Sequence, residues 1–207
     1  MHRLILSLIL SSLFILGKAQ VDFGVKVGLV ASDLRIHATA PYDKTLFNFS
    51  ESFTPMVGLS MFMPLSDQLS FMPEIELKAK GYRQSVFQES HFITYLSVPL
   101  LVRYDPNSKL FITGGPDLAF ALTQHTKVNG KLNHGGMINI GFDFALDLGI
   151  GTKIKEDFEI GLRYNPSLTN LFSMTLTDDT GEPTSELTAY HSAIQLEFRY
   201  FLRNKAE

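Results

Sequence analysis

The 207-residue chain contains no cysteine and no tryptophan. Without cysteine there are no disulfide staples, no thiolate nucleophile, no zinc–thiolate site and no lipid anchor on an N-terminal cysteine. Stability must come from packing and hydrogen bonding. No segment after Gln20 sustains a 3.6-residue apolar period, so no set of amphipathic helices is available to build a core. Basic clusters are missing as well: 18 Lys and Arg stand against 21 Asp and Glu, which gives no footing for nucleic acid. The longest apolar run, Leu4 to Leu16, is well short of the roughly 20 residues a helix needs to cross a bilayer.

That run follows His2-Arg3 and precedes Gly17-Lys18-Ala19. A basic start, a short apolar middle and small residues before a cut after Ala19 make a secretory leader over 1–19, ahead of one mature domain over 20–207. Removing Arg3 and Lys18 from the 18 basic residues leaves 16 against 21 acidic ones, a formal charge of −5.

What the mature chain has in abundance is two-residue alternation. From Ile138 to Ile150 the even positions are Ile138, Ile140, Phe142, Phe144, Leu146, Leu148 and Ile150, while the odd ones are Asn139, Gly141, Asp143, Ala145, Asp147 and Gly149. Successive side chains of an extended chain leave on opposite faces, so this is a strand with one large apolar face and one small or acidic face. Seven further runs share the pattern: about Phe23–Ala31, Phe53–Met63, Leu69–Tyr82, Phe92–Tyr104, Leu110–Leu122, Phe158–Tyr164 and Ser192–Leu202. Their connections alternate in length. Pro64–Gln68, Asp105–Ser108 and Lys155–Asp157 are tight turns, whereas Ser32–Ser52, Arg83–His91, Thr123–Gly136 and Asn165–Tyr190 are long. That order predicts an all-β fold, an eight-stranded antiparallel up-and-down transmembrane β-barrel with short periplasmic turns and long extracellular loops. Asn129-Gly130 marks a hairpin within the third long connection. Pro73, Pro99 and Pro116 fall inside strands, where each removes a ladder donor, and bulges are expected to accommodate them.

A soluble barrel with its apolar face inward would show the same alternation. The polar faces argue against it: Lys26, Lys78, Lys80, Arg103, Arg163 and Arg199 nearly balance Glu74, Glu76, Asp117, Asp143, Asp147, Glu159 and Glu197, as suits a narrow lumen filled by paired charges. On the apolar faces Phe23, Phe71, Tyr104, Phe158 and Tyr200 lie toward the short turns, and Phe53, Phe92, Phe120 and Tyr164 toward the long loops. Two aromatic girdles around an aliphatic band are the pattern of a barrel in lipid.

With the strands in order, the chain resembles the PorT-like outer-membrane β-barrel family of Gram-negative bacteria. The resemblance rests on Gly24-Val25-Lys26-Val27-Gly28, Glu74 to Gly81, Tyr95-Leu96-Ser97-Val98-Pro99-Leu100-Leu101, Gly114-Gly115-Pro116, Arg163-Tyr164-Asn165 and Leu168-Thr169-Asn170. It implies an eight-stranded barrel in the outer membrane and supplies no catalytic residues. The function it implies is largely undefined, and a component of a protein secretion and gliding apparatus is the competing role within the family.

The residues themselves point to no cofactor and no enzyme. His37, His91, His125, His134 and His191 fall in the loops or at strand junctions, without metal-ligand spacing. His191-Ser192 with Asp178, Asp179 or Glu186 has the residue types of an outer-membrane lipid acylhydrolase or acyltransferase, but no local motif. A small-solute pore is a further alternative, opposed by the long side chains expected to plug the lumen. The reading is a monomeric, lipid-embedded cell-envelope barrel that meets a protein or glycan partner through Ser32–Ser52 and Asn165–Tyr190. Asp178-Asp179 and Glu182 offer an acidic surface there for cations or basic partners.

Overall fold

The structure is a computed structural model that describes residues 21–41, 49–84, 88–128, 131–134, 141–178 and 180–202. The leader over 1–19, Asn129-Gly130, Ile138, Ile140 and Asp179 lie outside the described residues. The strands are β1 (Asp22–Ala38), β2 (Phe49–Pro64), β3 (Leu69–Gln84), β4 (Glu89–Tyr104), β5 (Leu110–Val128), β6 (Lys131–His134), β7 (Phe142–Lys155), β8 (Phe158–Thr177) and β9 (Pro183–Leu202). Every neighbour in chain order pairs antiparallel except β6 with β7, and β1 closes on β9. β6 is a short spur paired only with the far end of β5, so eight strands close the ring.

Alternation sets which way each side chain faces. Along β9, odd positions from Ser185 to Phe201 are buried while even positions are half-buried or exposed. Lys26, Glu76, Lys80, Asp117 and Asp147 are fully buried, whereas Leu29, Phe53, Leu59, Ile75, Leu148 and Ile194 are each more than half exposed. This is a soluble protein turned inside out: an apolar surface on that scale is stable only against hydrocarbon. The outward apolar stretches, such as Phe23–Ala31 and Ile194–Leu202, are about 9 residues long, which is what a tilted strand needs to cross a bilayer.

The strands run further into the long connections than apolar alternation predicts. Within the connection expected over Asn165–Tyr190, β8 continues to Thr177 and β9 begins at Pro183, closed by a turn in which Asp178 Oδ1 accepts hydrogen bonds from the Thr180 amide, the Thr180 hydroxyl and the Glu182 amide. In these segments polar residues are mixed with Leu168, Leu171, Phe172, Met174, Leu176 and Leu187, and Pro166 and Asn170 interrupt the period. At the other rim, Asn107 Oδ1 accepts from the amides of Lys109 and Leu110, and Ser66 Oγ accepts from Leu69.

No register shift falls at Pro73, Pro99 or Pro116, contrary to the expectation from sequence; the shifts lie elsewhere, such as between Glu51 and Met56 and between Pro166 and Asn170. The ladder instead skips locally beside each one, between Ser60↔Glu74 and Met63↔Phe71 for Pro73, between Pro73↔Leu100 and Glu76↔Ser97 for Pro99, and between Pro99↔Asp117 and Val102↔Gly114 for Pro116. The three missing donors lie on adjacent strands, so one seam across β3, β4 and β5 absorbs all of them. At that seam a Cβ on Gly115 would sit 2.1 Å from the Leu100 carbonyl oxygen. Gly115→Ala is therefore expected to destabilise the barrel by roughly 1–3 kcal/mol in urea unfolding from lipid vesicles. Gly114→Ala, whose Cβ meets nothing nearer than 3.6 Å, should change little.

Candidate functional site

Each strand contributes an alternate row of side chains to the lumen, and four levels can be distinguished from the short-turn rim upward. The lowest is an aromatic floor. Arg103 lies over the rings of Phe111 at 4.1 Å and Phe62 at 5.3 Å, and Phe62 meets Phe201 edge-on at 5.8 Å. The Arg103 guanidinium is held two-pronged by Glu159 at 2.7 and 2.8 Å and again by Asp105 at 2.9 Å. Asp105, in the turn beyond the membrane, is drawn upward in pKa by burial, but hydrogen bonds from Arg103 and Lys153 outweigh this and hold it below the ordinary carboxylate range.

Above the floor the network branches. Arg199 links Glu159 at 3.2 Å to Glu74 at 2.6 Å and Glu197 at 3.0 Å. Arg163 reaches Glu74 at 2.9 Å, Glu76 at 3.1 Å, Glu197 at 3.1 Å and Asp147 at 3.3 Å. Among the described residues, the carboxylates that converge closely enough to hold a metal ion are Glu74, Glu76 and Glu197, with ligand atoms within 4.8 Å of one another. Lys26 Nζ is bonded to all three, so the cage is filled by the chain's own ammonium.

At the third level Lys78 pairs with Glu76 and Asp117, both at 2.9 Å, and Ser97 donates to Asp117. The Asn165 amide donates to Asp117 at 3.0 Å and Asp147 at 2.8 Å. Lys80 and Ser167 both bond Asp143, at 2.9 and 2.8 Å. The fourth level is apolar: Leu34, Tyr82, Ile93, Tyr95, Ala119, Leu171 and Ala189 pack together across the mouth.

Lys26, Glu74, Glu76, Lys78, Lys80, Arg103, Asp117, Asp143, Asp147, Glu159, Arg163, Glu197 and Arg199 thus all lie inside the barrel, none more than 3% exposed. The aromatic residues lie on the other face. Phe23, Tyr104 and Tyr200 are exposed toward the short turns, with Phe158 opposite Tyr200 and Phe71 opposite Val102; Phe53, Phe120 and Tyr164 are exposed toward the other rim, with Phe92 half-buried beside Gly81. Sequence reasoning missed Phe62, Phe111 and Phe201 as lumen residues. Their parity was the available signal: Phe111 shares its face with Thr113, and Phe201 with Arg199.

The histidines do not gather. His37 is exposed against Tyr190, His91 stacks on Tyr82 at 4.9 Å, and His125 stands opposite His134 in the β5–β6 ladder. His191 is buried in the lumen while its neighbour Ser192 points outward and bonds the Tyr164 hydroxyl. Adjacent residues of a strand face opposite ways, so the His191-Ser192 pair cannot form a nucleophile and base. Asp178 is exposed and held below the ordinary carboxylate range, chiefly by the Thr180 hydroxyl and the Glu182 amide, so its carboxylate serves the turn it caps.

Residues 17–173 match the family model described as outer membrane protein beta-barrel domain. No curated protein matches the chain in sequence. Among solved structures, the outer membrane protein OprG from Pseudomonas aeruginosa is similar with a TM-score of 0.52 at 11% identity, covering 90% of this chain and 98% of that one. Neisserial surface protein A aligns with a TM-score of 0.48 at 9% identity, covering 87% and 98%. Ail, the attachment invasion locus protein of Yersinia pestis, solved with a heparin analogue, aligns at 0.44 and 12% identity, covering 86% and 99%. At these identities the similarity to OprG speaks for the fold.

Removing one partner of a buried ion pair strands the others in low dielectric. Arg163→Met should therefore cost about 3–5 kcal/mol in chemical unfolding from vesicles, and Arg163→Lys should recover only part of it. Leu148→Met on the outer wall should be near neutral.

Proposed function

The chain belongs to the outer membrane protein beta-barrel domain family and is an outer-membrane protein; from that premise we propose a closed, non-enzymatic barrel that acts through its outer hairpins in binding, adhesion or membrane organisation. One observation carries this reading: the lumen is occupied at every level, from the Arg103–Phe111 floor through Lys26 and Arg163 to the Leu34–Tyr82–Leu171 layer. An eight-stranded barrel is just wide enough for side chains to fill, and here they are long, paired and buried. A plugged lumen leaves the hairpins above the bilayer as the surface on which a partner can be met.

That surface is braced. Arg35 lies over the Tyr190 ring at 6.0 Å and crosses β9 to donate to the Ser167 carbonyl at 2.7 Å, where the β8–β9 register slips between Pro166 and Asn170. Thr39 and Ala40 are tied to Ser185 and Glu186 near the tip of the β8–β9 hairpin. A rigid, polar outer wall suits recognition of a protein or glycan by a monomer exported through a leader cut after Ala19.

The alternative, a component of a secretion and gliding apparatus, comes from the PorT-like resemblance. Its most specific stretch is accounted for by packing: Tyr95, Ser97, Pro99 and Leu101 are buried in the lumen wall. The stretch therefore speaks for a shared scaffold and favours no shared task.

Planar-bilayer recording tests the plug. The purified barrel should insert without steady conductance, and large stable openings at moderate voltage would remove the basis for a loop-borne role.

A further inference from the structure

The lumen's ionic groups do not cancel. Among the described residues it encloses six cations, Lys26, Lys78, Lys80, Arg103, Arg163 and Arg199, and seven anions, Glu74, Glu76, Asp117, Asp143, Asp147, Glu159 and Glu197. Adding the Asp105–Lys153 pair at the floor leaves the excess unchanged. A full negative charge sealed in such a space is costly unless a positive charge joins it.

The hydrogen bonds show where the excess resides. Glu74, Glu76, Glu159 and Glu197 each touch two or more cations, and Asp117 and Asp143 each hold a lysine at 2.9 Å. Asp147 has a single cationic contact, Arg163 Nη1 at 3.3 Å, which is the longest of those that nitrogen makes and is shared with Glu74 and Glu76. Its other oxygen accepts from the Asn165 amide. Asn165 is fully buried, and while its Nδ2 donates to both Asp117 and Asp147, its own Oδ1 receives no hydrogen bond. An under-neutralised carboxylate and an unsatisfied acceptor therefore belong to directly bonded side chains. Around Asp147 stand Arg163 and Asn165 from β8, Asp117 and Gly115 from β5, and Lys78 and Glu76 from β3.

His191 does not supply the missing charge. Both of its ring nitrogens lack a partner, its nearest charged groups are Lys80 and Asp143, and that carboxylate is already bonded to Lys80. An imidazolium there would sit beside an ammonium with no acceptor of its own.

We propose that Asp147 and Asn165 form a buried site for one further unit of positive charge, a proton or an alkali cation, which completes the neutrality of the lumen. The site asks nothing of the outer hairpins and is independent of the proposed surface role.

The full chain, refolded in lipid nanodiscs, provides the test. Melting temperature is compared in sodium, potassium and N-methylglucamine chloride at equal ionic strength, and infrared spectra are recorded for a protonated-carboxyl band. A melting temperature that depends on the alkali ion and loses this dependence in Asp147→Asn identifies a metal cation. An ion-independent melting temperature with a carboxyl band that vanishes in Asp147→Asn identifies a proton. Asn165→Ala, which removes the amide and with it the acceptor, should shift the same signal and serves if Asp147→Asn fails to fold. Asp147→Asn should melt at or above the wild-type temperature, whereas Asp117→Asn should melt lower because Lys78 loses a partner. Absence of both signals, a signal that survives both variants, or one that follows His191→Gln instead would overturn the proposal.

Discussion

A charge enclosed by a wall that lies in lipid must find its opposite within hydrogen-bond reach, because neither the bilayer nor bulk water can solvate it. The rest of the barrel follows from that demand. Arg163 and Lys26 meet it by each serving several carboxylates from different strands, so β1, β3, β7, β8 and β9 are tied through their side chains as well as their ladders. A buried pair contributes little net stability over an apolar one. Its effect is to make every other arrangement of the strands worse, since slipping one strand by a residue would carry its charges onto the lipid face.

Space for these long side chains is bought by small ones. A Cβ on Gly161 would come within 3.0 Å of Glu197, and one on Gly151 within 2.1 Å of the Phe111 ring. Glu197 and the Phe111 ring thus each lie against a position with no side chain of its own. The proposed plug has a component at each end, an arginine held between aromatic rings at the floor and an apolar layer at the mouth.

Much of this was legible from alternation. The parity of Asp143 and Asp147 against Leu146 and Leu148 assigns faces without any structure, and the near balance of the polar faces indicates which of them lies inside. Three things were not legible. In the upper half of β8, Pro166, Asn170 and the register slips around them interrupt the run, so the apolar even positions Leu168, Phe172, Met174 and Leu176 do not read as a continuation of Phe158–Tyr164. The apolar layer at the mouth joins Leu34 and Leu171, from beyond the recognisable runs, to Tyr82 and Ile93 at the ends of two of them, so only the closed ring brings them together. The adjacency of His191 and Ser192 suggested chemistry that a strand geometrically forbids.

The absence of cysteine allows a direct measurement of closure, by placing single thiols in an otherwise unreactive chain. Ala145→Cys would stand in the lumen beside Asp143 and Asp147, and Thr180→Cys in the turn above the bilayer. A charged, membrane-impermeant maleimide applied to cells, and then to membranes opened on both sides, should label the Thr180 variant fully and the Ala145 variant not at all until the barrel is unfolded. Labelling of Ala145→Cys in the folded barrel at a rate comparable to Thr180→Cys would mean that the lumen is open, and the account of a sealed, charge-paired interior would be wrong.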